Sequence, residues 1–389
     1  MKIALLSAAF PPDLDGIGDY TWWLSCELVR QGHQVSVFTS EGPIRQSPEG
    51  VAVVQFFNTN DARTSPDLAS AVAATMISYD WLVVQYNPFG YGKRGFCPWL
   101  PRTLRKIRRS QPSLRIAVMF HETMVPRWPW RFALMRLWQR PIFRQMCRLS
   151  NVLFVSTERW LPEVRSARPS GPVFHLAVGS NVPLHEISQA EARRSLGIPI
   201  NARVVGIFGA AHVSRLVEWI AEGAAALAAD GMPSRETIVL YVGSDGVEIK
   251  KVCASWRLRV VDRGKQASSQ VGLNLRAMDM LLTPFADGVS TRRGSVMAAL
   301  QHGIPVATTV RSWTDGVLRG GGCPQLLGSS AETSGDFTRD LLNWSGKILS
   351  AGSVPVAALA DFYQQNFSWS TIAGKMVATL VAYDEAKHC

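Results

Sequence analysis

The segment Asp287-Gly288-Val289-Ser290-Thr291-Arg292-Arg293-Gly294-Ser295 is the part of the chain richest in groups that could do chemistry. Three hydroxyls and two adjacent arginines stand there between an apolar run, residues 280–283, and a helix-like stretch, residues 296–302. Arginine forks, hydroxyls and backbone amides gathered at a helix start make a receptor for phosphate. A second glycine-bearing corner, Asp15-Gly16-Ile17-Gly18, follows the apolar run 2–7 and precedes helix-like spacing over 20–30. Gly16 and Gly18 would let backbone N–H groups approach an anion there. The alternative is a tight turn without ligand, because glycine serves any such corner. The dinucleotide fingerprint is incomplete, since Thr21 stands where its third glycine would be.

Both corners need strands to hold them, and the chain supplies two sets. With 389 residues, 47% of them hydrophobic, it exceeds what one core usually organises, so two domains are expected. Apolar runs at 2–7, 34–39, 51–56, 81–85, 115–120 and 152–155 alternate with helix-sized segments. That alternation predicts a parallel sheet covered on both faces, with Gly32 at the end of the first helix. Residues 188–196 form a short helical patch in which Ser188 and Glu191 have capping-box spacing and Gly197 follows the end. The pattern restarts at 203–209 and continues with runs at 237–242, 258–261, 280–283 and 306–309. The expected fold class is α/β, two tandem Rossmann-like domains. The division is read as an N-terminal domain over 1–182, a linker over 183–200, a C-terminal domain over 201–364, and a helix over 365–389 that packs back toward the first domain. Open α/β sheets bind ligands beyond the carboxyl ends of their strands, which directs the search for a site to a cleft lined by both domains.

Lys plus Arg number 41 against 30 Asp plus Glu, a formal charge of +11 that favours anionic partners. Basic residues cluster at Arg102, Arg105, Lys106, Arg108 and Arg109. A second cluster, Arg127, Arg131, Arg136, Arg140, Arg144 and Arg148, recurs among Trp128, Trp130, Trp138 and Phe143. This second stretch reads either as a helix with its aromatic face on the core or as an amphipathic surface for an anionic membrane. The cysteines Cys26, Cys97, Cys147, Cys253, Cys323 and Cys389 are scattered, which argues against a zinc site or a disulfide framework and fits a reducing cytoplasm. The opening apolar run breaks at Pro11-Pro12-Asp13 and reads as a buried strand rather than a signal peptide. No run approaches the ~18 apolar residues of a spanning helix. The expected place is the cytoplasm, with the inner face of the membrane as an option.

Residues 2–39, with Phe10-Pro11-Pro12, Gly16, Gly18, Tyr20 and Gly32-His33, resemble the start of glycosyltransferase family 4 enzymes, which have the GT-B fold. Val84-Gln85-Tyr86-Asn87-Pro88, Phe120-His121-Glu122, Phe208-Gly209, residues 279–284, Gly303-Ile304-Pro305-Val306 and Phe367-Ser368-Trp369 extend the resemblance, in the family's order, over nearly the whole chain. The resemblance implies a metal-independent, retaining transfer of sugar from a nucleoside diphosphate sugar to an acceptor hydroxyl. No cofactor is implied beyond that co-substrate. The donor would be held mainly by the C-terminal domain and the acceptor by the N-terminal one. The acceptor would be a sugar, a polysaccharide or a lipid-linked group, as in the synthesis of cell-surface polysaccharide or glycolipid.

The resemblance also assigns roles. Arg215, after the first strand of the second domain, stands where such enzymes keep a basic residue for the donor phosphates; a solvated arginine at a helix start is the alternative. Gly209 and His212 flank it on the donor side, and Gly243 resembles the glycine turn near the nucleobase, although turn chemistry alone would explain it. Asp287 would be the first of two family carboxylates separated by seven residues, with Ser290, Thr291, Arg292, Arg293 and Ser295 on the donor. The second carboxylate is missing. Counting back from Gly303-Ile304-Pro305 puts Ala298 at its place, and counting forward from Asp287 puts Ser295 there. The donor therefore cannot be carried over from the family. His121, directly after the strand 117–120, would meet the transferring sugar, with a structural histidine as the alternative. Glu122 would orient a hydroxyl, and Gln85, Tyr86 and Asn87 would line an acceptor pocket together with Tyr91 and Arg94, unless they merely pack a loop.

Three other functions compete. A nicotinamide-dependent oxidoreductase would need the fingerprint that is absent. A non-catalytic nucleotide-sugar binder or a nucleotide-sugar epimerase would keep the fold and change the chemistry. Nucleic-acid binding has only the basic charge in its favour, since no recognition module is present.

Overall fold

The computed structural model describes residues 1–13, 15–42, 47–58, 67–126, 128, 130–230, 236–319, 325–350 and 356–388. Arg127, Cys323 and Cys389 lie outside the described residues. The chain divides into two units, Met1–Ala177 with Trp369–Cys389, and Val178–Ser368. Each is a parallel sheet flanked by helices, the α/β class expected from the alternating apolar runs.

The first unit runs β1 (Lys2–Ser7), α1 (Gly16–Arg30), β2 (Gln34–Ser40), β3 (Val51–Phe57), α2 (Leu68–Ala74), β4 (Trp81–Tyr86), α3 (Trp99–Ser110), β5 (Arg115–Phe120), α4 (Trp130–Leu149), β6 (Val152–Val155), α5 (Trp160–Ser166) and β7 (Val173–His175). The sheet order is β3-β2-β1-β4-β5-β6-β7, so the winding reverses between β1 and β4, where Ser7 is the register partner of Gln85. Ile3, Leu5, Leu82, Val83 and Val118 are fully buried, as strands covered on both faces require. Helix α1 starts four residues before Tyr20, the first position of the helical spacing in the sequence. The Asp15 carboxylate caps it, accepting from the N–H groups of Ile17 and Gly18 at 2.9 Å. It ends at Gly32, whose φ of +83° lets the N–H groups of Gly32 and His33 turn back onto the Val29 and Leu28 carbonyls.

The second unit runs α6 (Gln189–Leu196), β8 (Arg203–Phe208), α7 (Val217–Ala229), β9 (Thr237–Val242), α8 (Gly246–Ser255), β10 (Arg259–Asp262), α9 (Ser268–Arg276), β11 (Met280–Leu282), α10 (Gly294–Gln301), β12 (Val306–Thr309), β13 (Leu326–Ser329), α11 (Ser334–Ser350) and α12 (Val356–Phe367). Its order, β10-β9-β8-β11-β12-β13, reverses between β8 and β11. Residues 183–200 lie inside this unit. Helix α6 carries the full capping box of Ser188 and Glu191, and its buried Arg193 pairs with Asp279 at 2.8 Å and donates to the Ala277 carbonyl at 3.0 Å. These bonds tie the segment to the edge of the second core.

The last helix, α13 (Trp369–His388), belongs to the first unit. Trp369 meets the Tyr20 ring edge-on at 5.1 Å, Trp81 Nε1 donates to Asp384, and Arg115 forms an ion pair with the same carboxylate.

Candidate functional site

In the second unit the reversal of winding falls between the loops that follow β8 and β11, the place where open α/β sheets take ligands. The two loops are stitched together. Arg215 and Phe285 form an antiparallel bridge, Ala286 N–H donates to the Ser214 carbonyl at 2.7 Å, and Leu216 N–H donates to the Pro284 carbonyl at 3.1 Å.

Arg215 is buried, with 8% of its surface exposed, which contradicts the solvated alternative for this residue. Its guanidinium makes no hydrogen bond and no ion pair among the described residues, and its Nε and Nη1 are shut away from solvent. Arg193 and Arg203 are the other buried arginines described, and each has a partner, the first Asp279 and the second the Leu227 carbonyl. Burial, reinforced by the charge of Arg293, lowers the Arg215 pKa to about 10, so the group stays protonated at neutral pH. A desolvated cation without an anion is costly and calls for a counter-charge from outside the chain.

Arg293 stands beside it. Its guanidinium lies over the Phe285 ring, and one Nη2 reaches both oxygens of Asp287 at 2.7 Å and the Ser214 hydroxyl at 3.2 Å. Asp287 is therefore engaged by an arginine, which alters the reading of it as a free carboxylate for the sugar. Ser214 is held in turn by His212, whose Nδ1 lies 2.9 Å from its hydroxyl. His212 itself is exposed and supports the arginine pair through this contact.

Backbone groups complete the cradle. Gly209 has φ +98°, and a Cβ there would come within 3.2 Å of Arg215 Nη2 and 3.9 Å of Ser295 Cβ. Gly243 admits no side chain, because a Cβ would stand 2.3 Å from the Tyr241 hydroxyl and 2.6 Å from the Gly209 carbonyl. Helix α10 starts at Gly294 without a side-chain cap, which leaves its first amides free to meet an anion. Ser290 and Thr291 are buried. Thr291 turns its N–H (2.6 Å) and its hydroxyl (2.9 Å) to Asp315 Oδ2, so it holds the loop instead of facing a donor. Arg292 is half-buried, and so is Ser295 beside Gly209. Ala298, the other position considered for the second carboxylate, is fully buried in the interior. The spacing could not reveal Asp315, which lies more than twenty residues beyond the loop it anchors and in no recognisable motif.

In the first unit His121 follows β5 as expected and is 8% exposed. Its Nε2–H donates to Gln85 Oε1 at 2.9 Å, and the Tyr20 ring meets its imidazole edge-on at 4.7 Å. Burial pushes its pKa down to about 3, so the ring is neutral over the ordinary pH range and can act by hydrogen bonding but not as a cation. Gln85 is thus a partner of His121. Tyr86 corrects the acceptor-pocket reading: it is fully buried and packs against Phe120 at 5.3 Å in the core. Period-2 alternation turns it to the face opposite Gln85. Tyr91 is buried as well, donating to the Leu6 and Gln85 carbonyls, and Arg94 is exposed on a turn with φ +55°. Asn87 closes a turn by accepting from Phe89 N–H at 2.8 Å, and Glu122 is half-buried. The Gly16 and Gly18 corner is corrected too. Two of the amides that a phosphate would need already bind Asp15, and glycine at 18 suits the close backbone of Ala9 and Phe10, 3.2 Å from where a Cβ would stand. Among the described residues no group of three His, Cys, Asp or Glu could hold a metal.

No protein-family model matches the chain, and no curated protein matches it. Solved structures do. The sucrose-phosphate synthase of Thermosynechococcus elongatus matches with TM-score 0.70 and 16% identity over 99% of this chain and 100% of that one. Anabaena HepE in complex with UDP gives 0.66 and 16% over 98% and 100%. WaaG, a glycosyltransferase involved in lipopolysaccharide biosynthesis, gives 0.59 and 14% over 97% and 99%. The chain has the fold these proteins share, the GT-B fold of two parallel-sheet α/β units.

Proposed function

We propose that the protein is a glycosyltransferase that moves a sugar from a nucleoside diphosphate sugar to an acceptor hydroxyl, with retention of configuration and without a metal. The observation that carries this reading is Arg215, a buried cation with no anion of its own at the winding reversal of the second unit. A bound diphosphate is the counter-charge it lacks, and the likeness to a UDP-bound fold supports that identity. As the bond between the anomeric carbon and the β-phosphate oxygen lengthens, negative charge grows on the leaving diphosphate. Arg215, Arg293 and the first amides of α10 would take up that charge in place of a divalent ion. The neutral His121, whose Nε2–H is taken by Gln85, would accept a hydrogen bond from a sugar hydroxyl through Nδ1 without changing its protonation state.

One observation favours a second reading, a nucleotide-sugar binder without turnover. Asp287 is occupied by Arg293, and neither Ser295 nor Ala298 supplies a second carboxylate. Incubating the protein with UDP-, GDP- and ADP-sugars, and following nucleotide release by chromatography and the anomeric product by NMR, separates the two. Retained product supports transfer, binding without release supports the binder, and no binding of any donor refutes both.

A further inference from the structure

Helix α4 has two halves of different character. From Ile142 onward it buries Ile142, Phe143, Met146 and Cys147 against the first core. Its first nine residues, Trp130 to Trp138, include seven apolar side chains, yet none of the nine is buried. Trp130 is 61% exposed, Leu134 49% and Leu137 72%, and Trp128 just before the helix is 79% exposed. Positions 130, 134, 137 and 141 fall on one stripe of a helix, so these groups form a single ridge about three turns long. Monomeric proteins rarely leave so continuous an apolar surface uncovered without a use for it.

Cations line the ridge. Arg140, Arg144 and Arg148 follow at four-residue spacing. They are exposed, and no carboxylate or hydrogen-bond partner engages their side chains among the described residues. Arg136, one turn earlier, differs: it binds the Val125 carbonyl and pairs with Glu163 at 3.6 Å. A groove of about 970 Å³ runs along this flank with Leu137, Pro141 and Phe143 as apolar lining and Arg140 and Arg144 among its polar groups. Nearby, Lys93 and Arg94 flank the exposed Phe96, whose ring meets Trp138 edge-on at 6.5 Å.

We propose that this face docks on an anionic phospholipid bilayer, with Trp128, Trp130, Leu134 and Leu137 entering the headgroup boundary and Arg140, Arg144 and Arg148 meeting lipid phosphates. Charge complementarity selects this occupant. An exposed apolar ridge with tryptophans at its N-terminal end and a row of unpaired arginines following it matches an interface that is apolar within and negative at its surface. No helix among the described residues is long and apolar enough to cross a membrane, so this contact lies on the bilayer rather than through it.

The inference does not depend on the proposed catalysis, and its test reads binding alone. The full chain is floated with phosphatidylcholine vesicles containing or lacking phosphatidylglycerol. Retention is expected on the anionic vesicles only and should weaken with added salt. Arg140→Glu with Arg144→Glu, and separately Trp130→Ala with Leu137→Ala, should each lower the partition coefficient about tenfold or more. Lys251→Glu with Arg257→Glu, the same charge change on the second unit, should leave it unchanged, and the melting curves of all three should match the parent. Retention that is absent, indifferent to lipid charge, or lost equally in the control overturns the proposal. So does sedimentation showing that this face instead joins two copies of the chain, with Trp130→Ala and Leu137→Ala separating them.

Discussion

The guanidinium carbon of Arg293 lies 4.2 Å from the centre of the Phe285 ring. The same ring has Arg215 at 5.5 Å, so one aromatic ring serves two cations while a single carboxylate, Asp287, offsets only the first. Ring faces carry partial negative charge and attract such groups. Phe285→Leu keeps an apolar side chain but removes that attraction, and it should weaken the tightest nucleoside diphosphate in calorimetry by about threefold to thirtyfold. Equal affinity in the variant would show that the ring is only a spacer.

Arg215→Ala should lower turnover by ~10² or more, the range for losing one charge-stabilising donor. The ligand-free protein should melt no lower than the parent, because a desolvated cation without a partner has been removed. Nucleotide should then raise the melting temperature of the parent but not of the variant. Undiminished turnover would take Arg215 out of the site.

His121 gives a signed pH effect. Folded, it takes a proton only near pH 3, whereas in the unfolded chain it does so near 6.5. The stability tied to the neutral ring is complete above pH 6.5 and is lost as pH falls from there toward 3. The slope contributed by this one group reaches at most about 1.4 kcal/mol per pH unit. Urea titrations of the parent and of His121→Asn over that window should differ in slope and converge above it. The activity profile should show no inflection from this residue near neutrality.

Asp315 acts on the loop rather than on a ligand. Its Oδ2 accepts both the N–H and the hydroxyl of Thr291, and the carboxylate is fully buried. Asp315→Asn should cost about 1–3 kcal/mol of stability and raise KM for the donor more than it lowers kcat. Thr291→Val removes the hydroxyl bond alone and should show a smaller change in the same direction. A kcat effect without a KM effect would point to a more direct role.

The strands at the centre of both sheets are legible in the sequence because burial on two faces demands continuous apolar runs, as in 3–6 and 238–242. Edge strands escape this logic. β7 has three residues, and β13 contains Gly328 and Ser329, so neither run stands out from a loop. The register of β10 shifts by one residue from the apolar run 258–261 because Asp262 ends the strand as its last paired residue. At the site, residue type and strand-end position bring Arg215 and Arg293 together, but spacing cannot show that one is satisfied and the other is not. Tyr86 misleads for a related reason: a strand end fixes where a residue sits, whereas the period of two decides which way it faces. Gly18 is legible as a glycine with a role, and the backbone crowding at Ala9 that the structure adds to it could not be read from the sequence.

The path of the chain constrains how the protein can be cut. The first unit is closed by α13, which follows the whole second unit in sequence and brings Trp369 to Tyr20 and Asp384 to Trp81 and Arg115. No single scission yields two self-sufficient halves, and a fragment ending near residue 177 would lack the helix that packs on α1 and on the first residues of β4 and β5. Expressing the first unit alone would require fusing 369–388 back onto it through a designed connection, whereas 178–368 is already one uninterrupted piece.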